Sequence, residues 1–241
     1  MRGIILSGGS ATRLRPCTKV TSKQLLPVYN RPMIYYPLNT LIKAGIKEIL
    51  IIVAPERAGD YLNLLGSGKE FGIKFTYEIQ DKPNGLPEAF VIGENFIDQE
   101  DVAMILGDNI FEDDLSEHVK NFKGGAKVFA KKVDDPERFG VVKFDSQMKV
   151  EKIVEKPKEF ISNYALTGFY IFDHRVVEVA KNLKPSERNE TEIVDVHNWY
   201  LRRGELEAAI IEGHWIDAGT FDSLLLAQNL AKEKLQDKLI I

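Results

Sequence analysis

Gly3-Ile4-Ile5-Leu6 runs directly into Ser7-Gly8-Gly9-Ser10-Ala11-Thr12-Arg13-Leu14. A short apolar run followed by a glycine-rich turn reads as a strand entering a loop with a cation at its far end. Such a loop bares neighbouring backbone N–H groups, and anions bind there. It is not a Walker A loop, which needs Gly-x-x-x-x-Gly-Lys-Ser/Thr; no Lys follows these glycines at that spacing. It is not the dinucleotide fingerprint Gly-x-Gly-x-x-Gly either, and Pro16 discourages a helix through the turn. Two readings stay open on this segment alone. One is a phosphate loop of another design; the other is a strand-to-loop turn that needs glycine only for its backbone.

Downstream, the first half alternates strand-like and helix-like segments. Residues 49–53 form a continuous apolar run, as a strand covered on both faces would. Before it, Ile34, Leu38, Leu41 and Ile42 fall at helical spacing, with Pro37 in the first turn and Gly45 at the C-terminal cap. Tyr61, Leu62, Leu64 and Leu65 predict a second helix ended by Gly66-Ser67-Gly68. Residues 75–79 read as a strand, 86–96 as a helix and 102–106 as a third buried strand. This β-α-β-α-β order predicts a parallel sheet with helices on both faces. The second half predicts strands at 126–133, 141–144, 150–155, 165–172 and 206–211. Helices are expected near 176–183, 193–203 and 221–235. No linker rich in Pro, Gly or Ser divides the halves. The chain therefore reads as one α/β domain, residues 1–241, whose mostly parallel mixed sheet is extended by antiparallel strands.

At 241 residues the chain can bury a substantial core. A formal charge of −4, with no basic tail, argues against a nucleic-acid partner. No run reaches the ~18 apolar residues of a membrane span, and the amino-terminal apolar stretch is too short for a signal peptide. A cytoplasmic location is expected. Cys17 is the only cysteine, so no intrachain disulfide forms; it is expected to be a small buried or half-buried thiol.

In open α/β sheets, ligands sit at the carboxyl ends of the strands. That rule selects Gly8 and Gly9, then Gln80, Asp81 and Gly85 after residue 79, then Gly107-Asp108-Asn109 after residue 106. A carboxylate just past a buried strand suits a hard cation such as Mg²⁺; an Asx-type turn explains Asp108 equally well. Asp217, in Gly213-His214-Trp215-Ile216-Asp217-Ala218-Gly219-Thr220, is a candidate second carboxylate, and Thr220 a helix cap. His214 reads as structural, and the other histidines show no metal-site spacing. Arg13, Lys23 and Lys156 each read alone as surface charges. Three cations and two carboxylates at strand ends or in loops together suit phosphoryl or nucleotidyl transfer, where catalysis is positioning and charge neutralisation.

Seven segments carry a resemblance that spans nearly the whole chain. They are Gly8-Gly9-Ser10-Ala11-Thr12-Arg13-Leu14, Ser22-Lys23-Gln24-Leu25-Leu26-Pro27-Val28, Pro32-Met33-Ile34-Tyr35-Tyr36-Pro37, Leu106-Gly107-Asp108-Asn109-Ile110-Phe111, Asp135-Pro136-Glu137-Arg138-Phe139-Gly140-Val141, Glu155-Lys156-Pro157 and Trp215-Ile216-Asp217-Ala218-Gly219-Thr220. In this order they resemble the sugar-1-phosphate nucleotidyltransferases, most closely the branch that joins dTTP and glucose-1-phosphate. The resemblance implies a Rossmann-like three-layer sandwich and a reaction in which a sugar phosphate attacks the α-phosphorus of dTTP. The products would be dTDP-glucose and pyrophosphate. The attacking phosphate is largely ionised near neutral pH, with a second pKa of roughly 6, so no general base is needed.

By the same resemblance, Arg13 holds the triphosphate, Lys23 contacts the reacting phosphates and Lys156 the sugar phosphate. Asp108 and Asp217 hold Mg²⁺. Gln80 and Gly85 read the pyrimidine edge, and Gly8, Gly9, Ser10, Ala11, Thr12 and Gln24 help to seat the nucleotide. Gly140, Glu155, Thr167 and Gly168 line the sugar pocket. The family further implies small-molecule substrates and a homo-oligomer, dimer or tetramer. Three positions depart from the common pattern: Ala11 stands where glycine is usual, Phe139 where tyrosine is frequent, and Pro87 where a small residue is usual. Ala11 restricts positive φ, so the loop must tolerate a methyl group or shift. Longer members carry C-terminal helices that build a second nucleotide site, and this chain is expected to lack that site or to build it differently. Two alternatives stand beside the leading one: the same transfer from UTP, and a catalytically inactive nucleotide-sugar-binding regulator. A glycosyltransferase is disfavoured by the missing Asp-x-Asp.

Overall fold

A strand that is apolar on both faces needs cover on both sides, and that requirement builds the molecule outward from residues 2–7. The computed structural model describes residues 1–9, 11–186 and 189–239. In chain order the elements begin with β1 (Arg2–Ser7), a small hairpin of β2 (Pro27–Val28) and β3 (Arg31–Pro32), α1 (Tyr35–Lys43) and β4 (Glu48–Val53). There follow α2 (Ala58–Leu65), β5 (Lys74–Ile79), α3 (Glu88–Ile92), α4 (Glu94–Ile97), β6 (Val102–Leu106), β7 (Asn109–Phe111) and α5 (Ser116–Lys120). The second half holds β8 (Ala126–Lys132), β9 (Gly140–Phe144), β10 (Val150–Glu155), β11 (Tyr164–Phe172), α6 (Val176–Lys181) and α7 (Ile193–Leu201). The last elements are β12 (Leu206–Ile210), β13 (Trp215–Asp217) and α8 (Phe221–Leu230).

Four strands pair in parallel in the order β6-β1-β4-β5, with Ile5 between Ile51 and Ile105. β11 then runs antiparallel to β6, β9 and β8, and β10 antiparallel to β9. The extension is not wholly antiparallel: β12 lies parallel to β8 at the far edge. Alternate strand residues face opposite layers. Ile4, Leu6, Leu50 and Ile52 pack with Phe90 of α3 and with α6 and α7. Ile5, Ile49, Ile51 and Val53 pack with α1, α2 and α5. Each such fully buried side chain contributes about 1.5–3 kcal/mol.

A third cluster does more for function than its size suggests. Leu14, Leu26, Ile110, Ala218 and Leu224 are buried together beneath α8. Leu14 follows Arg13, Ile110 follows Asn109 and Ala218 follows Asp217. Each candidate functional residue is thus carried by a buried neighbour. α8 itself starts on a reciprocal cap, in which Thr220 Oγ1 accepts from the Ser223 N–H and Ser223 Oγ from the Thr220 N–H. Such a cap contributes about 1 kcal/mol.

Some expectations are corrected. The helix expected over 86–96 is two short helices broken at Gly93, where a Cβ would lie 3.0 Å from Leu50 Cδ2. The β7/β13 ribbon and the β2/β3 hairpin were not expected; both are too short for periodicity to register. Cys17 is exposed rather than buried, because the turn carrying it faces solvent. Among the described residues no helix is long and apolar enough to cross a membrane.

Candidate active site

The turn after β1, the loop after β5 and the segment after β6 open into one cavity of about 600 Å³. Gly8, Gly9, Arg13, Lys23 and Gln24 line it from the amino-terminal segment, and Gln80 and Gly85 from the loop after β5. Asp108 and Asp217 lie on its floor, and Gly140, Glu155, Lys156, Thr167 and Gly168 on the facing side. Ala11 and Thr12 do not line it. Ala11 sits in the left-handed region at φ 45°, and its carbonyl accepts from Thr18 Oγ1 at 2.8 Å, so this part of the turn shapes the loop from behind. Ser10 lies outside the described residues.

Charge is concentrated on the floor. Lys23 Nζ pairs with Asp108 Oδ2, and both side chains are largely buried. Burial alone would pull Lys23 down and push Asp108 up. The charge of each partner and the hydrogen bond between them outweigh it, so Lys23 lies above the ordinary lysine value and Asp108 below the ordinary carboxylate value. Asp217 has no such partner. Burial, and then the Asp108 charge, push it up to about 6, against the weaker pull of Lys23 and Arg13. Gly219 permits the approach of Arg13: a Cβ there would lie 2.7 Å from Asp217 Oδ1 and 3.0 Å from Arg13 Nη2.

At one end of the cavity the Gln80 side chain, only 5% exposed, lies against Gly8. Its Nε2 donates to Glu88 Oε2 at 2.7 Å. Gly85 abuts Thr191, whose N–H donates to the Asn84 carbonyl at 2.8 Å, so segment 189–192 straps over this end. Gln24 is fully buried and accepts from Ser22 Oγ at 2.8 Å and Tyr61 OH at 3.2 Å.

At the other end, β11 changes register against β8 between Leu166 and Tyr170. Such irregularities re-aim side chains beside active sites. Here they free Thr167 and Gly168 for the cavity. The Gly168 N–H donates to Asn109 Oδ1 at 2.9 Å, and Trp215 Nε1 donates to the same oxygen at 2.6 Å. Asn109 Nδ2 in turn donates to Asp108 Oδ1 at 3.2 Å. Thr167 Oγ1 is buried with no partner among the described residues, a free hydroxyl at the cavity wall.

Asn109 and Phe139, both singled out in the sequence, line the cavity; Trp215, Tyr170 and segment 190–193 line it too and were not expected. Of these, Trp215 carried a signal, since it shares a strand face with Asp217, two residues away. His214 lies outside the cavity, its Nδ1 2.6 Å from Glu112 Oε2. Among the described residues no three His, Cys, Asp or Glu side chains gather as a metal cluster.

Comparison with known proteins follows this geometry. Residues 2–234 match the nucleotidyl transferase family. Over 230 residues the chain is 50% identical to the glucose-1-phosphate thymidylyltransferase of Neisseria meningitidis, spanning 93% of this chain and 80% of that relative. Over 237 residues it is 46% identical to the enzyme of the same name from Mycolicibacterium smegmatis, spanning 96% and 82%. A Bacillus anthracis crystal structure assigned to that activity, in complex with sucrose, superposes with a TM-score of 0.92 at 49% identity, over 97% of this chain and 96% of that one. A UDP-glucose pyrophosphorylase complexed with UDP-glucose superposes with a TM-score of 0.85 at 25% identity, over 97% and 98%.

Proposed function

The chain belongs to the nucleotidyl transferase family, and from that membership we propose that it is a glucose-1-phosphate thymidylyltransferase. It transfers the nucleotidyl group of dTTP to glucose-1-phosphate, giving dTDP-glucose and pyrophosphate, with the described chain working as one nucleotidyltransferase domain. The observation that carries the reading is that Arg13, Lys23, Asp108 and Asp217 line one cavity together with Gln80 and Glu155.

The chemistry follows from charge. Two polyanions must meet, and the attacking phosphate oxygen is already ionised near neutral pH, so no protein base is required. Arg13 holds the triphosphate and offsets charge that grows on the departing pyrophosphate. Lys23 reaches the reacting phosphates from its Asp108 pairing. Lys156 holds the sugar phosphate, and Glu155, with the free Thr167 hydroxyl, takes the sugar hydroxyls. Gln80 and Gly85 read the pyrimidine, while Gly8, Gly9 and Gln24 seat the nucleotide. Fixing both substrates in line converts an encounter into a positioned reaction, the largest source of rate enhancement for such transfers.

Asp108 and Asp217 fit a magnesium ion. They are two hard oxygen donors on a buried floor, and Asp217, raised to about 6, is a carboxylate that its own surroundings disfavour without a cation. When bound, Mg²⁺ neutralises phosphate oxygens and so lowers the repulsion between the substrates. A cytoplasmic setting and a homo-oligomeric assembly belong to the same proposal.

The test is pyrophosphate release over a grid of dTTP, UTP, ATP, CTP and GTP against several sugar-1-phosphates, with and without Mg²⁺. Release confined to dTTP and, more weakly, UTP with glucose-1-phosphate and Mg²⁺ is the expected result. Nucleotide binding without turnover on any pair would overturn the reading. Thymine and uracil differ by one methyl group, a discrimination of only about 1–3 kcal/mol, so partial use of UTP is expected.

A further inference from the structure

We propose that Glu88 sets which pyrimidine the cavity accepts, by locking the Gln80 amide with its oxygen toward the base. The inference rests on the reading that Gln80 and Gly85 meet the base, and it assigns the polarity of that meeting to a residue outside the cavity lining.

A primary amide has two faces of opposite polarity: NH₂ donates and C=O accepts. Rotation by half a turn exchanges them with almost no change of shape. What Gln80 offers a ligand is therefore fixed by whatever holds its other end. Glu88 holds it, from the first turn of α3. A carboxylate has acceptors only, so the amide nitrogen must face it, and Gln80 Nε2 donates to Glu88 Oε2 at 2.7 Å. The second carboxylate oxygen is also taken, by Asn84 Nδ2 at 2.7 Å, so Glu88 is held from both sides.

Gln80 Oε1 then has one place to go. It fills the space over Gly8, 2.2 Å from where a Cβ at that position would stand. Gly8 and Gln80 both line the cavity. No described residue donates to this oxygen, although Gln80 is 5% exposed. A nearly buried acceptor left open at a ligand cavity asks for a donor from the ligand. Thymine and uracil present N3–H beside the O4 acceptor; on the reading that both residues meet the base, N3–H goes to Gln80 Oε1 and O4 to Gly85, which also lines the cavity. Cytosine carries a donor and an acceptor in the reverse order, N4–H beside bare N3. It would set N3 against the Gln80 oxygen. Reversing the Gln80 amide would cure half of that mismatch, and Glu88 forbids the reversal.

The measurement is kcat/KM for dTTP against 5-methyl-dCTP, which differ only at this base edge, with glucose-1-phosphate and Mg²⁺ and the full chain. The wild-type protein is expected to prefer dTTP strongly. In Glu88→Gln the partner can accept or donate, and the preference should fall about tenfold. In Glu88→Lys the partner only donates, the amide turns round, and the preference should fall about a hundredfold. Asn84→Ala, which frees the other carboxylate oxygen but keeps the Gln80 contact, should hold the preference within about twofold. Because both nucleotides are measured on each variant, loss of folded protein cancels from the ratio.

A preference unchanged in both Glu88 variants, or lost equally in Asn84→Ala, overturns the proposal. So does a wild-type protein indifferent between the two nucleotides. Gln80→Ala separates this failure from that of the underlying reading. If it leaves the preference intact, Gln80 does not meet the base. If it collapses the preference while the Glu88 variants do not, Gln80 reads the base and Glu88 has no part in it.

Discussion

The two sides of the cavity are built by opposite means. On one side, the turn after β1, the loop after β5 and Asp108 after β6 leave parallel strands that pair in register. Their positions follow from where those strands end. On the other side β11 breaks register against β8 between Leu166 and Tyr170. Side-chain hydrogen bonds between distant segments hold that side instead, above all Asn109 Oδ1 with its two donors from Gly168 and Trp215. Strand topology therefore fixes the side proposed to take the nucleotide, and a few polar contacts fix the side proposed to take the sugar. Removing a charge should silence the reaction outright, whereas removing a contact should loosen one substrate.

The largest effects are expected on the floor, where the two sides meet. Asp108→Asn and Asp217→Asn should each lower kcat by about a thousandfold or more, as loss of a preorganised charge does. Their stabilities should diverge. Asp108→Asn leaves the buried Lys23 without its partner and should cost about 3 kcal/mol. Asp217→Asn removes a carboxylate that burial and Asp108 both disfavour, and its melting temperature should match or exceed that of the wild type. Pyrophosphate release and thermal melts of both variants check this. A melting temperature lowered equally in both would show that the two carboxylates are not the unlike pair described.

Asn109→Ala tests the sugar side most directly, and it also removes one hydrogen bond to Asp108 Oδ1. It strands the Gly168 N–H and Trp215 Nε1, at about 1–3 kcal/mol for each buried unpaired donor. The KM for glucose-1-phosphate should rise about 10- to 100-fold while the affinity for dTTP stays within about twofold. Titration calorimetry with dTTP, beside sugar-phosphate kinetics, separates the two. An equal loss on both substrates would mean that the sides are mechanically one.

Proton uptake gives a subtler comparison. Asp217 is raised from 3.8 to about 6, so between those values the folded state binds more protons than the unfolded one. Its contribution to stability falls as pH rises through that window. A metal must displace this proton, so apparent Mg²⁺ affinity should drop about tenfold per pH unit below 6. Magnesium titration followed by tryptophan fluorescence reads it. His197 works in the opposite direction. It is fully buried, stacked on Phe172, with no partner among the described residues for either ring nitrogen, and burial pulls it from 6.5 to about 3. The unfolded state protonates first, so stability is lost as pH falls from 6.5 toward 3. His197→Phe keeps the stacked ring and should flatten that acid limb in denaturant melts. Asp217→Asn should steepen the limb.

The same contrast explains what the sequence made legible. Residues 3–6 and 102–106 are short apolar runs, and 75–79 is an alternating one; by rule, cavity residues follow at their carboxyl ends. Gly8, Gln80 and Asp108 could be placed without coordinates for that reason. Nothing in the spacing of Asp108 and Asp217 says that they meet. Their meeting depends on the β7/β13 ribbon, of three residues a strand, which pairs Asn109 with Asp217 across the fold. Trp215, Tyr170 and segment 190–193 were hidden likewise, since their positions come from a register break and from contacts far apart in the chain. Glu88 was invisible as a determinant because its role lies in the direction of one hydrogen bond.

The smallest effect sharpens the comparison most cheaply, because each side holds a non-glycine residue in the left-handed region. Ala11 has φ 45° and Lys156 φ 40°. That conformation costs a residue with a Cβ about 1–2 kcal/mol, and glycine escapes the cost while losing about 0.4–1 kcal/mol to the greater freedom of its unfolded chain. Ala11→Gly and Lys156→Gly should therefore both gain a few tenths of a kcal/mol, readable as a small rise in denaturant midpoint. Ala11 lies behind its loop, so its replacement should leave kcat/KM within about twofold. Lys156 lines the cavity and is proposed to hold the sugar phosphate, so its replacement should lose kcat/KM on glucose-1-phosphate by about a hundredfold at the same gain in stability. If Lys156→Gly instead kept full activity, the strain at residue 156 would serve the bend after β10 alone, and the sugar side would present no cation to the phosphate it is built to hold.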